Sequence, residues 1–138
     1  MKIAVIDGKG GGIGSQVVER LKSLKNNDIE IIALGTNSQA TSNMIKSGAD
    51  DGATGENAVV WMSSKVDIII GPLAIISANS MMGEISPKMA EAIAISDARK
   101  LLLPLSKCNM DIIGLKDLQF KTMFSELLET VKKILDEK

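Results

Sequence analysis

IAVIDGKGGGIGSQVVERLKSLK, from Ile3 to Lys25, decides the fold class. Ile3 to Ile6 is a continuous apolar run of strand formers, followed by Asp7-Gly8-Lys9-Gly10-Gly11-Gly12-Ile13-Gly14. Ile13, Val17, Leu21 and Leu24 then recur near helical spacing. Strand, glycine loop and helix follow in that order, and Asn26-Asn27-Asp28 is expected to end the helix. Ile29 to Leu34 resumes as a second strand, too apolar to face water on one side, as suits a parallel sheet covered by helices.

Downstream, Val66 to Ile70 reads as a third buried strand, Lys100 to Pro104 as a fourth and Met110 to Ile113 as a fifth. Ser38 or Thr41 is expected to cap a helix stopping at Gly48, and Thr54 another running to about Ser63. Pro72 suits the start of a short helix to about Met82, and Ser86-Pro87 is a cleaner start for the next. In the last helix Met123, Phe124, Leu127, Leu128, Val131, Ile134 and Leu135 share one face. The alternation predicts a three-layer, Rossmann-like α/β sandwich with a mostly parallel sheet of about five strands, the first central.

The 138 residues suit one domain, taken as 1–138, and leave no room for a separate substrate domain. Sixteen Lys and Arg against 17 Asp and Glu give a formal charge of -1, so no overall positive field draws nucleic acid or an anionic bilayer. The uncharged run Ile68 to Gly83 falls short of a membrane span, and the apolar stretch in MKIAVIDGKGGG is too short for a secretory signal. A cytoplasmic protein is expected. With no His, no Tyr and one Cys, the chain excludes His-dependent triads, Cys/His zinc sites and an internal disulfide. No metal centre is expected.

Four glycines in the five positions 10–14 need a physical reason, because glycine costs about 0.5 to 1 kcal/mol of backbone entropy in a regular element. A phosphate approaching backbone N–H groups at the first turn of a helix supplies one, and a merely tight turn is the alternative. Gly8, Gly12 and Gly14 form GxxxGxG, which resembles the cofactor loop of short-chain dehydrogenases, although their catalytic Tyr has no counterpart here. Lys9 to Gly14 is also similar to the start of the deviant P-loop of MinD-type ATPases. Ser15 and Gln16 stand where that loop has its phosphate-binding Lys and magnesium-binding Ser or Thr, so ATP hydrolysis is not expected.

A Rossmann loop usually finds an acid at the end of the second strand to hold a ribose, but here that strand leads into Gly35-Thr36-Asn37-Ser38. These small neutral groups suit a 2′-phosphate, a different nucleotide, or simply capping by Asn37 or Ser38. The strand ends should share one crevice, gathering Asp7, Thr36, Gly71, Asn79, Ser80 and Lys107. Asp7 is read as organiser of the loop ahead of ribose or cation ligand. Gly52 to Asn57 is a second glycine-rich turn in which Glu56 favours a helix start. Asn79-Ser80 and Gly83-Glu84 either define the far half of a ligand or finish two short helices. Cys108, without a His to activate it, is expected to be a small buried hydrophobe.

At these motifs the chain resembles a bacterial family of short Rossmann-like proteins known only as a domain of unknown function. The residues that carry the resemblance are Asp7-Gly8, Gly10 to Gly14, Gly35-Thr36-Asn37, Gly52 to Asn57, Gly71-Pro72, Ala78 to Met81, Gly83-Glu84-Ile85, Pro104-Leu105 and Cys108-Asn109. The resemblance implies a nucleotide-binding-like fold and supplies no reaction. The expectation is a binding or regulatory module for a small phosphorylated ligand, NAD(P) or another nucleotide. Asp7, Gly8, Lys9, Gly10, Gly11, Gly12, Ile13, Gly14, Thr36, Asn37, Gly71, Asn79 and Ser80 are its candidate contacts, in a protein that could dimerise. The alternatives are a small cofactor-dependent enzyme using Asp7, Glu84 or Lys107, and a scaffold that binds no nucleotide.

Overall fold

A computed structural model describes residues 1–105, 109–115 and 119–137. Strand β1 (Lys2–Asp7) runs through the glycine loop into α1 (Gly12–Lys22), and β2 (Glu30–Gly35) leads to α2 (Ser38–Lys46). β3 (Asp51–Thr54) precedes α3 (Glu56–Ser63), and β4 (Ile68–Pro72) passes through one 3-10 turn (Leu73–Ile76) to α4 (Pro87–Ile95). β5 (Arg99–Leu103) and α5 (Phe120–Asp136) complete the described elements. The sheet order is β3-β2-β1-β4-β5 and every pairing is parallel, so β1 is central as expected.

Alternation along β1 explains the three layers. Ile3 and Val5 pack with Val17, Val18 and Leu21 of α1, Met44 of α2 and Phe124, Leu127 and Val131 of α5. Ala4 and Ile6 turn to the opposite face, against Val59 of α3 and Met89 and Ile93 of α4. With helices on both faces, neither set of strand residues meets water, and this is why β1, β2 and β4 read as unbroken apolar runs. The chain leaves β1 for β2 on one side and later crosses to β4 on the other. That reversal opens the crevice at the carboxyl end of β1, where ligands lie in open α/β sheets.

The structure corrects several boundaries. α1 stops at Lys22, with Ser23 as its C-cap, short of Asn26. β3 went unforeseen because Asp51-Gly52-Ala53-Thr54 is largely exposed and polar; it is a strand through its ladder to β2, not through its side chains. Residues 110–113 form no strand: β3 and β5 end the sheet, and Ile113, 93 % exposed, shows that an apolar run without a ladder partner gains no strand. The helix expected after Pro72 shrinks to the single 3-10 turn, followed by a loop in which Asn79, Met81, Met82 and Gly83 all have positive φ. Such backbone cannot continue a right-handed helix.

Caps also moved. Asn37, offered with Ser38 as a cap at the end of β2, caps α2 by accepting the Ala40 N–H at 2.9 Å, while Thr41 is buried inside the helix. Gly55 at φ 98° caps α3, and Thr54 ends β3 instead. Ser86 caps α4 as read from the sequence, its Oγ accepting the Met89 N–H at 3.2 Å with Pro87 at the first helical position. α5 presents the expected stripe of Met123, Phe124, Leu127, Val131 and Ile134 to the core. Among the described residues no helix is long and apolar enough to cross a membrane.

Gly71 in β4 has a packing reason: a Cβ there would lie 2.5 Å from the Ile6 carbonyl oxygen of β1. Gly71→Ala is expected to lower the unfolding free energy by about 1 to 3 kcal/mol, because the obstructing atom belongs to a neighbouring strand's backbone. Urea denaturation checks this, and an unchanged midpoint would contradict the close approach.

Candidate functional site

The glycines of the β1–α1 loop fall into two groups. An added Cβ at Gly8 would meet Met81 Sδ at 2.6 Å and Thr36 Oγ1 at 2.7 Å. At Gly11, which has φ 70°, it would meet the Ala40 backbone at 2.9 Å; at Gly14 it would meet Met44 Sδ at 2.5 Å and Asp7 Cβ at 2.9 Å. These three are required by the protein's own packing. Gly10 and Gly12 have nothing within 4 Å of an added Cβ. Among the described residues their amides also donate to no protein acceptor. No packing contact accounts for glycine at these two positions.

Asp7 shapes the loop from below. It ends β1 and is buried; its Oδ1 accepts the Gly8 N–H at 2.8 Å and its Oδ2 the Gly14 N–H at 2.7 Å. Burial pushes its pKa above the usual carboxylate value, against the opposing pull of the Gly14 and Gly8 amides, and the nearby charge of Glu84 pushes it further up. With both oxygens turned to the loop backbone, Asp7 is the organiser expected from the sequence. From the side, α2 fixes the loop carbonyls: Asn37 Nδ2 donates to the Lys9 oxygen and Asn43 Nδ2 to the Gly10 oxygen, each at 2.8 Å.

A second carboxylate closes the crevice from above. Glu84, on the β4–α4 connection, collects three donors on one oxygen, Oε1. They are the Lys9 N–H at 2.8 Å, the Thr36 hydroxyl at 2.6 Å and Asn37 Nδ2 at 2.9 Å. The Thr36 hydroxyl, then the Lys9 amide, hold its pKa below the ordinary value despite some burial. Met81, from the same connection, lies over Gly8. A protein side chain therefore already joins the glycine loop to the end of β2.

The fold thus brings together Asp7, Gly8, Lys9, Gly10, Gly11, Gly12, Ile13, Gly14, Thr36 and Asn37, with Glu84 at their junction. Gly71 serves strand packing. Asn79 and Ser80 hold their own loop, the Asn79 N–H donating to the Ile85 oxygen and the Ser80 hydroxyl to the Ala74 oxygen. Lys107 and Cys108 lie outside the described residues. Sequence reasoning missed Asn43, which carries no local signal, and named Met81 only within the family resemblance. It named Glu84 without its partners; the missing acid at the end of β2 was the one available hint. A cleft of about 450 Å³ lies elsewhere, between β5 and α5, lined by Leu101, Leu103, Ile112, Met123 and Leu127.

With this geometry in view, relatives can be compared. The model of the family described as "Domain of unknown function (DUF3842)" matches residues 2–136. The chain belongs to that family. No curated protein sequence matches it. Among solved structures, a dodecameric FMN-dependent UbiX-like decarboxylase from Escherichia coli O157:H7 is similar at 15 % identity and a TM-score of 0.50. The similarity covers 96 % of this chain and 75 % of that one. At this identity the likeness is one of fold, in agreement with the Rossmann-like sheet of the DUF3842 chain.

Two outcomes test the site's construction. Asp7→Ala leaves the Gly8 and Gly14 amides without their acceptors and should cost about 2 to 4 kcal/mol in urea denaturation. For Glu84 the folded pKa lies below the ordinary 4.5, so its contribution to stability is present above that value and is lost as pH falls through the lower folded one. The Lys9 amide resonance should accordingly titrate with a midpoint below 4.5, and a midpoint at or above it would contradict the Glu84 cluster.

Proposed function

We propose that residues 1–138 form one nucleotide-binding domain that holds a small phosphorylated ligand on the outer half of the glycine loop, as a binding or regulatory module. The observation that carries this reading is the open pair Gly10 and Gly12, glycines with no packing role whose amides have no protein acceptor among the described residues. They flank the N-terminus of α1, which has no acidic residue in its first turn and carries Arg20 and Lys22 in its last. That end of the helix favours an anion. Lys9, held at φ 51°, is the one cation between Asp7 and Gly14 and reinforces the preference.

The inner half of the loop is less suited to phosphate, since Asp7 and Glu84 already use the Gly8, Lys9 and Gly14 amides. The phosphate therefore belongs at Gly10 to Gly12, with the rest of the ligand toward β2. The fold relative is FMN-dependent, which favours a nucleotide-derived ligand without selecting NAD(P). Binding is preferred to catalysis because both Asp7 oxygens are tied to backbone amides and Glu84 Oε1 is occupied by three protein donors.

Calorimetric titration with FMN against riboflavin, AMP against adenosine, and NAD tests the reading. At least one phosphorylated compound should bind more tightly than its dephosphorylated partner. Gly12→Val should weaken it by about tenfold or more, roughly 1.4 kcal/mol, because the added branches enter the anion's space. The variant should stay folded, since a Cβ at Gly12 meets no protein atom. Lys9→Ala should weaken binding less, as it leaves the backbone donors in place. Equal affinities for both members of each pair, with no defect in Gly12→Val, would favour a scaffold without nucleotide.

A further inference from the structure

We propose that Glu84 reads the hydroxyl groups of the ligand's ribose and selects an unmodified diol over a sugar that is deoxygenated or carries a second phosphate. This rests on the phosphate reading above and adds a specificity determinant to it. In dinucleotide-binding sheets an acid from the end of the second strand accepts hydrogen bonds from ribose hydroxyls. Here β2 leads into Gly35-Thr36-Asn37, which has no acid, and a carboxylate reaches the same place from the far side of the sheet, 48 residues beyond Thr36.

The asymmetry of its bonding carries the proposal. All three protein donors converge on Oε1, whereas among the described residues Oε2 takes no hydrogen bond. An ionised carboxylate is acceptor-only and has room for about four hydrogen bonds. Its protein partners hold one oxygen and leave the other for donors that come from outside. Ribose hydroxyls are such donors. A phosphate is not, and it would meet the charges of Glu84 and Asp7 together. The Lys9 amide that fixes Glu84 adjoins Gly10, which sets the carboxylate beside the phosphate position proposed above.

Anchoring makes the acceptor a fixed one. Thr36 and Asn37 hold Glu84 to the end of β2, the Lys9 amide holds it to the glycine loop, and the Ser86 cap starts α4 two residues later. Asn79, Met81 and Met82 keep positive φ in the connection that delivers it. For non-glycine residues this backbone persists where surrounding contacts enforce it.

Glu84→Gln is the decisive variant. The glutamine oxygen can still accept from Lys9, Thr36 and Asn37, so the connection stays in place, while an NH2 donor replaces the open acceptor. Wild type should prefer AMP to deoxy-AMP and NAD to NADP by about tenfold or more, the range of a hydrogen bond to a charged group. Glu84→Gln should bring the first ratio close to one and reverse the second. Glu84→Ala, which removes the acceptor without adding a donor, should abolish the first preference without reversing the second. Unchanged ratios in a folded Glu84→Gln protein would overturn the proposal and leave the phosphate reading standing. Failure of wild type to bind AMP or NAD would also overturn it. In that event a preference for FMN over riboflavin that Gly12→Val removes would show that the phosphate reading survives alone.

Discussion

The Asp7 carboxylate faces two demands that conflict. It sits at the buried end of the central strand, where charge is costly, and it is the acceptor of the Gly8 and Gly14 amides of the loop. Because it accepts from both Gly8 and Gly14, the loop must turn back over the end of β1 before α1 begins. Gly14 must then lie against Asp7 and Met44, and Gly11 against the Ala40 backbone, with no space for side chains. The close seating of α1 and α2 at the carboxyl edge follows from that constraint.

Once the inner amides are committed, the chemistry of the crevice is narrowed. Two carboxylates occupy the donors nearest β1, one cation stands in the loop, and the open backbone donors lie at Gly10 and Gly12. Glu84 is held ionised by the Thr36 hydroxyl and the Lys9 amide, and Asp7 is enclosed by backbone.

Much of this was legible in the chain itself. The β1–loop–α1 unit, the buried β2 and β4, the Ser86-Pro87 start of α4 and the stripe along α5 depend on residues within a few positions of one another, and patterns of period and capping record them. Asp7 as organiser belongs to the same class, since its partners lie one and seven residues away. Where the apolar pattern lacked a spatial partner it misled: residues 110–113 have strand composition and no ladder, while Asp51 to Thr54 have a ladder and little strand composition.

Sequence alone therefore determined the fold class, the glycine loop and its position at the carboxyl edge. The tertiary structure decided which glycines serve packing and which are open, because that depends on Ala40, Met44 and Met81 arriving from other elements. It also decided that Glu84 reaches the end of β2, where Thr36 and Asn37 donate to it, although its amide partner Lys9 is 75 residues away. A hydrogen bond across that separation leaves no local pattern, since its two ends meet only after the parallel crossovers have placed β1, β2 and β4 side by side.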